Sequence, residues 1–204
     1  MSRDVVVVMG GCSGEREVSL VTGRAVLAAL RRKGVVARGL TAGCDGKSGL
    51  KMCGALLRMN PGTVFIALHG GWGEDGRLQG MLDILGIRYT GSDALASALA
   101  MHKDRAKAAF SAAGIPTPRH EVIDNHGMRP RRLKFPVAVK PSCQGSAIGV
   151  AIAENESGFR KALKAAFRHG GKVVVEEYIK GREITVAVLD GVPLPVIEIL
   201  PKNK

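Results

Sequence analysis

Lys140-Pro-Ser-Cys-Gln-Gly145-Ser146-Ala-Ile-Gly149 follows directly on the apolar run Pro136-Val-Ala-Val139. A lysine at the end of a buried strand, then a loop containing Gly145, Ser146 and Gly149, sets a fixed cation beside several free backbone N–H groups. That combination suits a polyphosphate, and the ligand it implies is ATP. The order is not the G-x-x-x-x-G-K-[ST] of a P-loop, because the lysine precedes the glycines and the loop runs into another strand rather than a helix. A strand followed by a Gly-containing hairpin accounts for the same residues without any ligand.

Outward from this stretch, the composition of the 204 residues is that of a folded globular chain, 46% apolar and 24% charged, which argues against disorder. Twenty-seven glycines with only 4% aromatic residues suit an α/β protein with many tight turns. The longest apolar runs, Val5 to Met9 and Val173 to Val175, are strand-sized, and no signal-peptide h-region opens the chain; the expectation is a cytoplasmic protein with no membrane span. Cys12, Cys44, Cys53 and Cys143 lack paired C-x-x-C spacing and are read as free thiols. The net charge of +12 raises nucleic-acid binding as a possibility. Its densest clusters, Arg31 to Lys33 and Arg129 to Lys134, carry no interleaved aromatic residues for stacking on bases, so a nucleic-acid partner is not expected.

The hydrophobic pattern predicts α/β architecture. Val5 to Met9 reads as a buried strand, Gly10-Gly11 as a turn, and Ser13 as the cap of a helix over 14–33. Strands follow at Val35 to Leu40 and Val64 to Leu68, the latter ending on His69-Gly70-Gly71, with a short helix over 50–58 between them. Such runs, apolar on both faces, imply a parallel sheet. A helix after Asp75, carrying Leu78, Met81, Leu82 and Leu85, closes at Gly86 and ends a first domain near Gly91. Beyond Ser92 the spacing predicts helices over 93–101 and 103–113, a strand over 119–123, a polar loop over 124–134, and the opening strand and loop. A strand over 149–152, a helix over 157–169 and a strand over 172–176 come next. Glu183 to Leu189 and Pro193 to Leu200 alternate about Asp190-Gly191, a hairpin signal.

Five stretches carry a resemblance. Gly10-Gly-Cys-Ser-Gly-Glu15-Arg-Glu-Val-Ser19, Ala67-Leu-His69-Gly-Gly-Trp-Gly-Glu74-Asp75-Gly76, Tyr89-Thr-Gly-Ser92, the Lys140 loop and Glu176-Glu-Tyr-Ile-Lys-Gly-Arg-Glu183 together resemble the D-alanine–D-alanine ligase family of the ATP-grasp superfamily. The resemblance covers essentially the whole chain. It implies an N-terminal parallel-sheet α/β domain preceding the ATP-grasp unit (1–91), a central ATP-grasp subdomain (92–177) and the start of a C-terminal one (178–204), an ATP-grasp fold that is incomplete. It also implies a homodimer. The chemistry implied is phosphorylation of one D-alanine carboxylate by ATP, then attack of a second D-alanine amine on the acyl phosphate, giving the dipeptide used in peptidoglycan. Both steps depend on positioning and on neutralising negative charge.

By that resemblance Glu15 holds the ammonium of the first D-alanine and anchors a hydrogen-bonded group including Ser146; a helix-dipole carboxylate is the competing reading. His69 matches a substrate-pocket histidine at a strand end. Lys103 and Lys140 match two lysines that contact ATP phosphates, and Ser146 offers a hydroxyl at the loop tip. Ala147 departs from the family pattern, which has a second serine there, and the lost donor weakens loop closure by about 0.5 to 1.5 kcal/mol if that hydroxyl is normally bonded. The stretch Glu176 to Ile179, with Tyr178, matches the hinge that reads adenine through the Glu176 side chain or nearby backbone, and Glu183 matches the carboxylate on the ribose. For these glutamates, strand-edge charge is the competing reading, and for Tyr178 and Ile179 it is core packing.

The chain stops at Leu200-Pro-Lys-Asn-Lys204, where the family continues into a lid with a lysine and tyrosines, an arginine, and an Asp/Glu/Asn set that holds Mg²⁺. No metal ligand is therefore expected in this chain, and the 204 residues alone are expected not to turn ATP over. A ligase fragment is the first expectation and a naturally shortened, inactive homologue the second. Another carboxylate–amine ligase, or a noncatalytic nucleotide-binding ATP-grasp homologue, remains as an alternative.

Overall fold

The structure, a computed structural model, describes residues 4–124 and 132–200. β1 (Val5–Gly10), β2 (Ala37–Ala42) and β3 (Thr63–Ile66) form a parallel sheet in the order β2-β1-β3, with Val5 opposite both Ala37 and Thr63. The central strand is apolar at every position because helices cover both its faces. Val6 and Val8 pack with Met52 and Leu56 of α2 (Ser48–Met59) and with Leu78 and Leu82 of α3 (Arg77–Ile84), whereas Val7 and Met9 face Leu20 and Leu27 of α1 (Arg16–Arg32).

Local chemistry shifts several boundaries. α1 begins at Arg16 rather than Gly14, and Ser13 is not its cap: the Ser13 hydroxyl donates to the His69 carbonyl at 2.5 Å and accepts from the Glu15 N–H, joining two loops instead. β2 begins at Ala37 rather than Val35, because the Val35 N–H turns back to the Leu30 carbonyl and ends α1. The β3 ladder stops at Ile66, although Ala67 N–H still donates to the Val8 carbonyl at 2.9 Å.

α3 meets α4 (Ala94–Met101) at a glycine with no room for a side chain. Gly76 has φ +87°, and a Cβ there would lie 2.3 Å from the Ala94 carbonyl oxygen. Asp93 caps α4 by accepting from Ala96 N–H, and α5 (Lys103–Ala112) follows.

The second sheet is antiparallel, in the order β4-β7-β5-β6, from β4 (His120–Asp124), β5 (Val137–Pro141), β6 (Ala151–Ala153) and β7 (Lys172–Glu177). α6 (Glu156–Ala166), which starts one residue before the expected 157 and is capped by Asn155, lays Phe159, Leu163 and Ala166 against Val137, Val139, Val173 and Val175. Most of the polar loop read over 124–134, residues 125–131, lies outside the described residues, as do 201–204.

The Asp190-Gly191 turn forms as read, both residues at positive φ, but the hairpin divides into two ladders. β9 (Val188–Leu189) pairs with β10 (Val192–Pro193), and β8 (Glu183–Thr185) with β11 (Ile197–Ile199). Every residue over 178–200 is exposed, because no described element packs on either side.

Candidate functional site

The loops that end β1 and β3 face the loop that ends β5 across a cavity of about 610 Å³, lined among others by Glu15, Gly71, Arg77, His102, Cys143 and Gly145. Ser19 fixes the first side: fully buried, its hydroxyl accepts from Gly10 N–H and donates to the Ala67 carbonyl, tying α1 to the ends of both strands. This holds Glu15, one turn earlier, at the cavity wall.

The opposite wall is the Lys140 loop. Ser146 and Ala147 take left-handed backbone conformations, φ +51° and +55°, which non-glycine residues adopt only where the surroundings enforce them. The loop turns back at Gly149, φ +73°, where a Cβ would lie 2.7 Å from the His169 ring and 2.8 Å from Pro141. The resulting turn carries the Ser146 hydroxyl across the cavity, where it donates to Glu15 Oε1, a contact spanning 131 residues of sequence.

Behind the loop lie the lysines. Lys103 Nζ donates to the Gln144 carbonyl, and its main-chain N–H donates to the Ser142 carbonyl at 2.9 Å. Burial, helped by the neighbouring Lys140 charge, pushes the Lys103 pKa below the ordinary lysine range. Lys140 Nζ pairs with Glu176, which also accepts from Lys107 Nζ at 2.9 Å. Glu176 is thus an interior carboxylate between two ammonium groups, not a strand-edge charge. Asp104 accepts from the Ser142 hydroxyl at 2.6 Å and lies 3.6 Å from Lys172, which joins α5 to the same loop.

The remaining predicted residues sit apart. His69 lines a smaller neighbouring cavity of about 180 Å³, with Nε2 3.2 Å from the Thr22 hydroxyl and Nδ1 4.0 Å from Glu74 Oε1. Tyr178 and Ile179 are exposed at the end of β7, with Tyr178 N–H bonded to the Pro136 carbonyl, and Glu183 is exposed on β8. None of the three lines either cavity. All four cysteines are free thiols, and Cys143 Sγ lies 3.1 Å from His102 Nδ1 at the cavity wall. The sequence reading missed Arg77 and Lys107. Arg77, bonded to Asp75, offers only its charge as a signal, whereas Lys107 stands four residues after Lys103 on one helix face.

Among the described residues no three His, Cys, Asp or Glu side chains converge to hold a cation. Nor is any described helix long and apolar enough to cross a membrane.

The buried carboxylates set the acid response. Burial raises the Glu176 pKa, but hydrogen bonds from Lys140 and Lys107 outweigh it and leave the value below the ordinary 4.5. For Asp104, burial is likewise outweighed by Ser142 and Lys172, below 3.8. A carboxylate depressed on folding contributes stability above its unfolded pKa and loses it as pH falls through the folded one. Unfolding free energy should therefore decline below about pH 4.5, and Glu176→Gln should flatten that decline by up to one proton, about 1.4 kcal/mol per pH unit. Urea titrations between pH 2.5 and 6 measure the slope; identical slopes for both proteins would refute the assignment to Glu176.

Comparison with known proteins places this geometry. Residues 109–204 match the family described as D-ala D-ala ligase C-terminus, and residues 43–92 match D-ala D-ala ligase N-terminus. The chain is 46% identical over 207 residues to the D-alanine–D-alanine ligase of Pelobacter propionicus, covering 100% of this chain and 64% of that one. It is 44% identical to the ligase of Aquifex aeolicus, covering 98% of this chain and 67% of that relative. A crystal structure of D-alanine–D-alanine ligase from Bacillus anthracis complexed with ATP superposes with a TM-score of 0.85 at 32% identity, covering all of this chain and 68% of that one. The expected architecture, a parallel-sheet α/β domain leading into an ATP-grasp fold, therefore holds over these residues, and the chain spans 64% of the length of the first curated relatives that it matches. With two of these relatives covered over two thirds of their length at more than 30% identity, the chain belongs to the D-alanine–D-alanine ligase family.

Proposed function

We propose that these residues form the first-substrate and nucleotide side of an ATP-dependent D-alanine–D-alanine ligase that serves peptidoglycan synthesis in the cytoplasm, as a homodimer. The observation that carries the reading is the Ser146–Glu15 hydrogen bond, which joins the phosphate loop to the carboxylate proposed for the D-alanine ammonium. The two elements proposed to hold the reaction partners are thereby tied together across one cavity, which is the proximity that phosphoryl transfer to a carboxylate requires.

In this reading Glu15 orients D-alanine, and Lys103 and Lys140 neutralise the phosphates as the γ-phosphoryl group leaves ADP and bonds to a D-alanine carboxylate oxygen. Ser146 closes the loop over both. His69 supports the substrate side from the adjoining cavity. Because two lysines already engage the Glu176 carboxylate, adenine recognition falls mainly to the backbone from Glu176 to Ile179, with Tyr178 and Ile179 as apolar surface and Glu183 on the ribose. The proposed division is 1–91, 92–177 and 178–204. The 204-residue chain by itself is proposed to bind ATP without turning it over.

Calorimetric titration of the chain with ATP, followed by a phosphate-release assay with and without D-alanine, tests both halves. Heat of binding without phosphate release is the expected result. No heat up to millimolar ATP would sink the nucleotide reading, and D-alanine-dependent phosphate release would sink the claim of inactivity.

A further inference from the structure

Lys107 is a buried cation for which the roles above leave no task. Its side chain is only 8% exposed, yet its Nζ makes two short contacts, to Glu176 Oε2 at 2.9 Å and to the Thr117 hydroxyl at 2.7 Å. Glu176 is as deeply set, with a side chain 10% exposed, and its other oxygen takes Lys140. One carboxylate therefore stands between two ammonium groups from different elements, α5 and β5. The two are not equivalent. Lys107 is pinned by its second acceptor and by burial, whereas the Lys140 side chain is 29% exposed and lies beside Lys103 at the phosphate loop.

A polyphosphate entering in front of Lys103 and Lys140 competes with Glu176 for Lys140. Were Lys140 the sole partner of Glu176, its transfer to phosphate would strand an interior carboxylate, and removing one member of a buried ion pair is strongly unfavourable. Lys107 removes that obstacle by remaining on Glu176 whichever way Lys140 points. We propose that Lys107 is a positioning residue for nucleotide binding: it keeps Glu176 neutralised and in place, which frees Lys140 to exchange from carboxylate to phosphate. The proposal rests on the ATP reading above and adds to it a residue that touches neither phosphate nor substrate.

The test is a double-mutant cycle read by calorimetry with ATP, each variant first checked by thermal melting. Lys107→Met should weaken ATP binding by about 10-fold or more, since Glu176 then retains Lys140, while Lys107→Arg, which keeps the charge, should stay within about 3-fold of wild type. With Glu176→Gln already present there is no carboxylate to hold Lys140, and Lys107→Met should then change ATP affinity by less than about 2-fold. Should Lys107→Met alone melt below the assay temperature, Lys107→Arg and the Lys107→Met/Glu176→Gln pair, in which no charge is stranded, carry the comparison. A merely structural lysine would lower melting temperature without this dependence on Glu176. Unchanged ATP affinity in Lys107→Met, or an equal loss with and without Glu176, overturns the role of Lys107 alone. No ATP binding by the wild-type chain overturns the nucleotide reading, and this role with it.

Discussion

Lys140→Met is expected to weaken ATP binding roughly 10- to 100-fold, the loss of one charge-assisted phosphate contact at about 1.5 to 3 kcal/mol, with 1.4 kcal/mol per tenfold. The proposed contact would be worth this much because the Lys140 side chain is only partly exposed and stands beside the half-buried Lys103. Burial already disfavours the charged form of Lys103, and Lys140 is the next contributor to that depression, so the two ammonium groups repel each other and an incoming polyanion relieves both. The variant should remain folded, since Glu176 keeps Lys107 as a partner at 2.9 Å. Calorimetry and thermal melting together separate the two effects. An ATP affinity within twofold of wild type would remove Lys140 from the phosphate site, whatever happened to the melting temperature.

Gly76→Ala should cost about 3 kcal/mol or more of folding stability, and two separate penalties combine to give it. At φ +87° an alanine carries the strain of the left-handed region, of order 1 kcal/mol or more. Its Cβ would also lie 2.3 Å from the Ala94 carbonyl oxygen, a backbone atom at the start of α4 that cannot rotate away, so α3 and α4 must separate. Gly114→Ala supplies the control, because Gly114 has φ +70° but no atom within 4 Å of the added Cβ. That variant pays for strain alone and should lose about 1 kcal/mol. Urea midpoints that move equally for the two variants would show that the approach of Ala94 carries no cost.

What the sequence disclosed and what it withheld follow from the range of the interactions. The run Val5 to Met9 announced a strand covered on both faces, and the Lys140 to Gly149 stretch announced its loop, because each signal is contained within about ten residues. The Ser13 cap failed for the opposite reason: its hydroxyl prefers the His69 carbonyl, 56 residues away, and no local pattern shows that competitor. Lys107 and Glu176 lie 69 residues apart, and nothing near Glu176 marks it as an interior carboxylate. The resemblance supplied the link between Glu15 and Ser146, which spacing alone does not. Alternation in the 183–200 hairpin correctly located the turn but says nothing of what, if anything, covers the apolar side.

That open hairpin is one of the apolar surfaces through which copies of this 204-residue chain can meet in solution. Ile184, Val188, Leu189, Val192, Val196 and Ile197 present greasy surface on short ladders whose outer edges pair with no other described strand, a combination that favours strand-to-strand sticking. Against it stands the +12 formal charge, which keeps molecules apart while its field reaches across the gap between them. That reach is about 10 Å at 0.1 M salt and about 3 Å at 1 M, so added electrolyte removes the repulsion but leaves the stickiness. Near pH 10, the isoelectric point, repulsion vanishes at any ionic strength. Self-association of the 204-residue chain should therefore rise with added salt and toward pH 10, as distributed charge gives way to bare apolar surface.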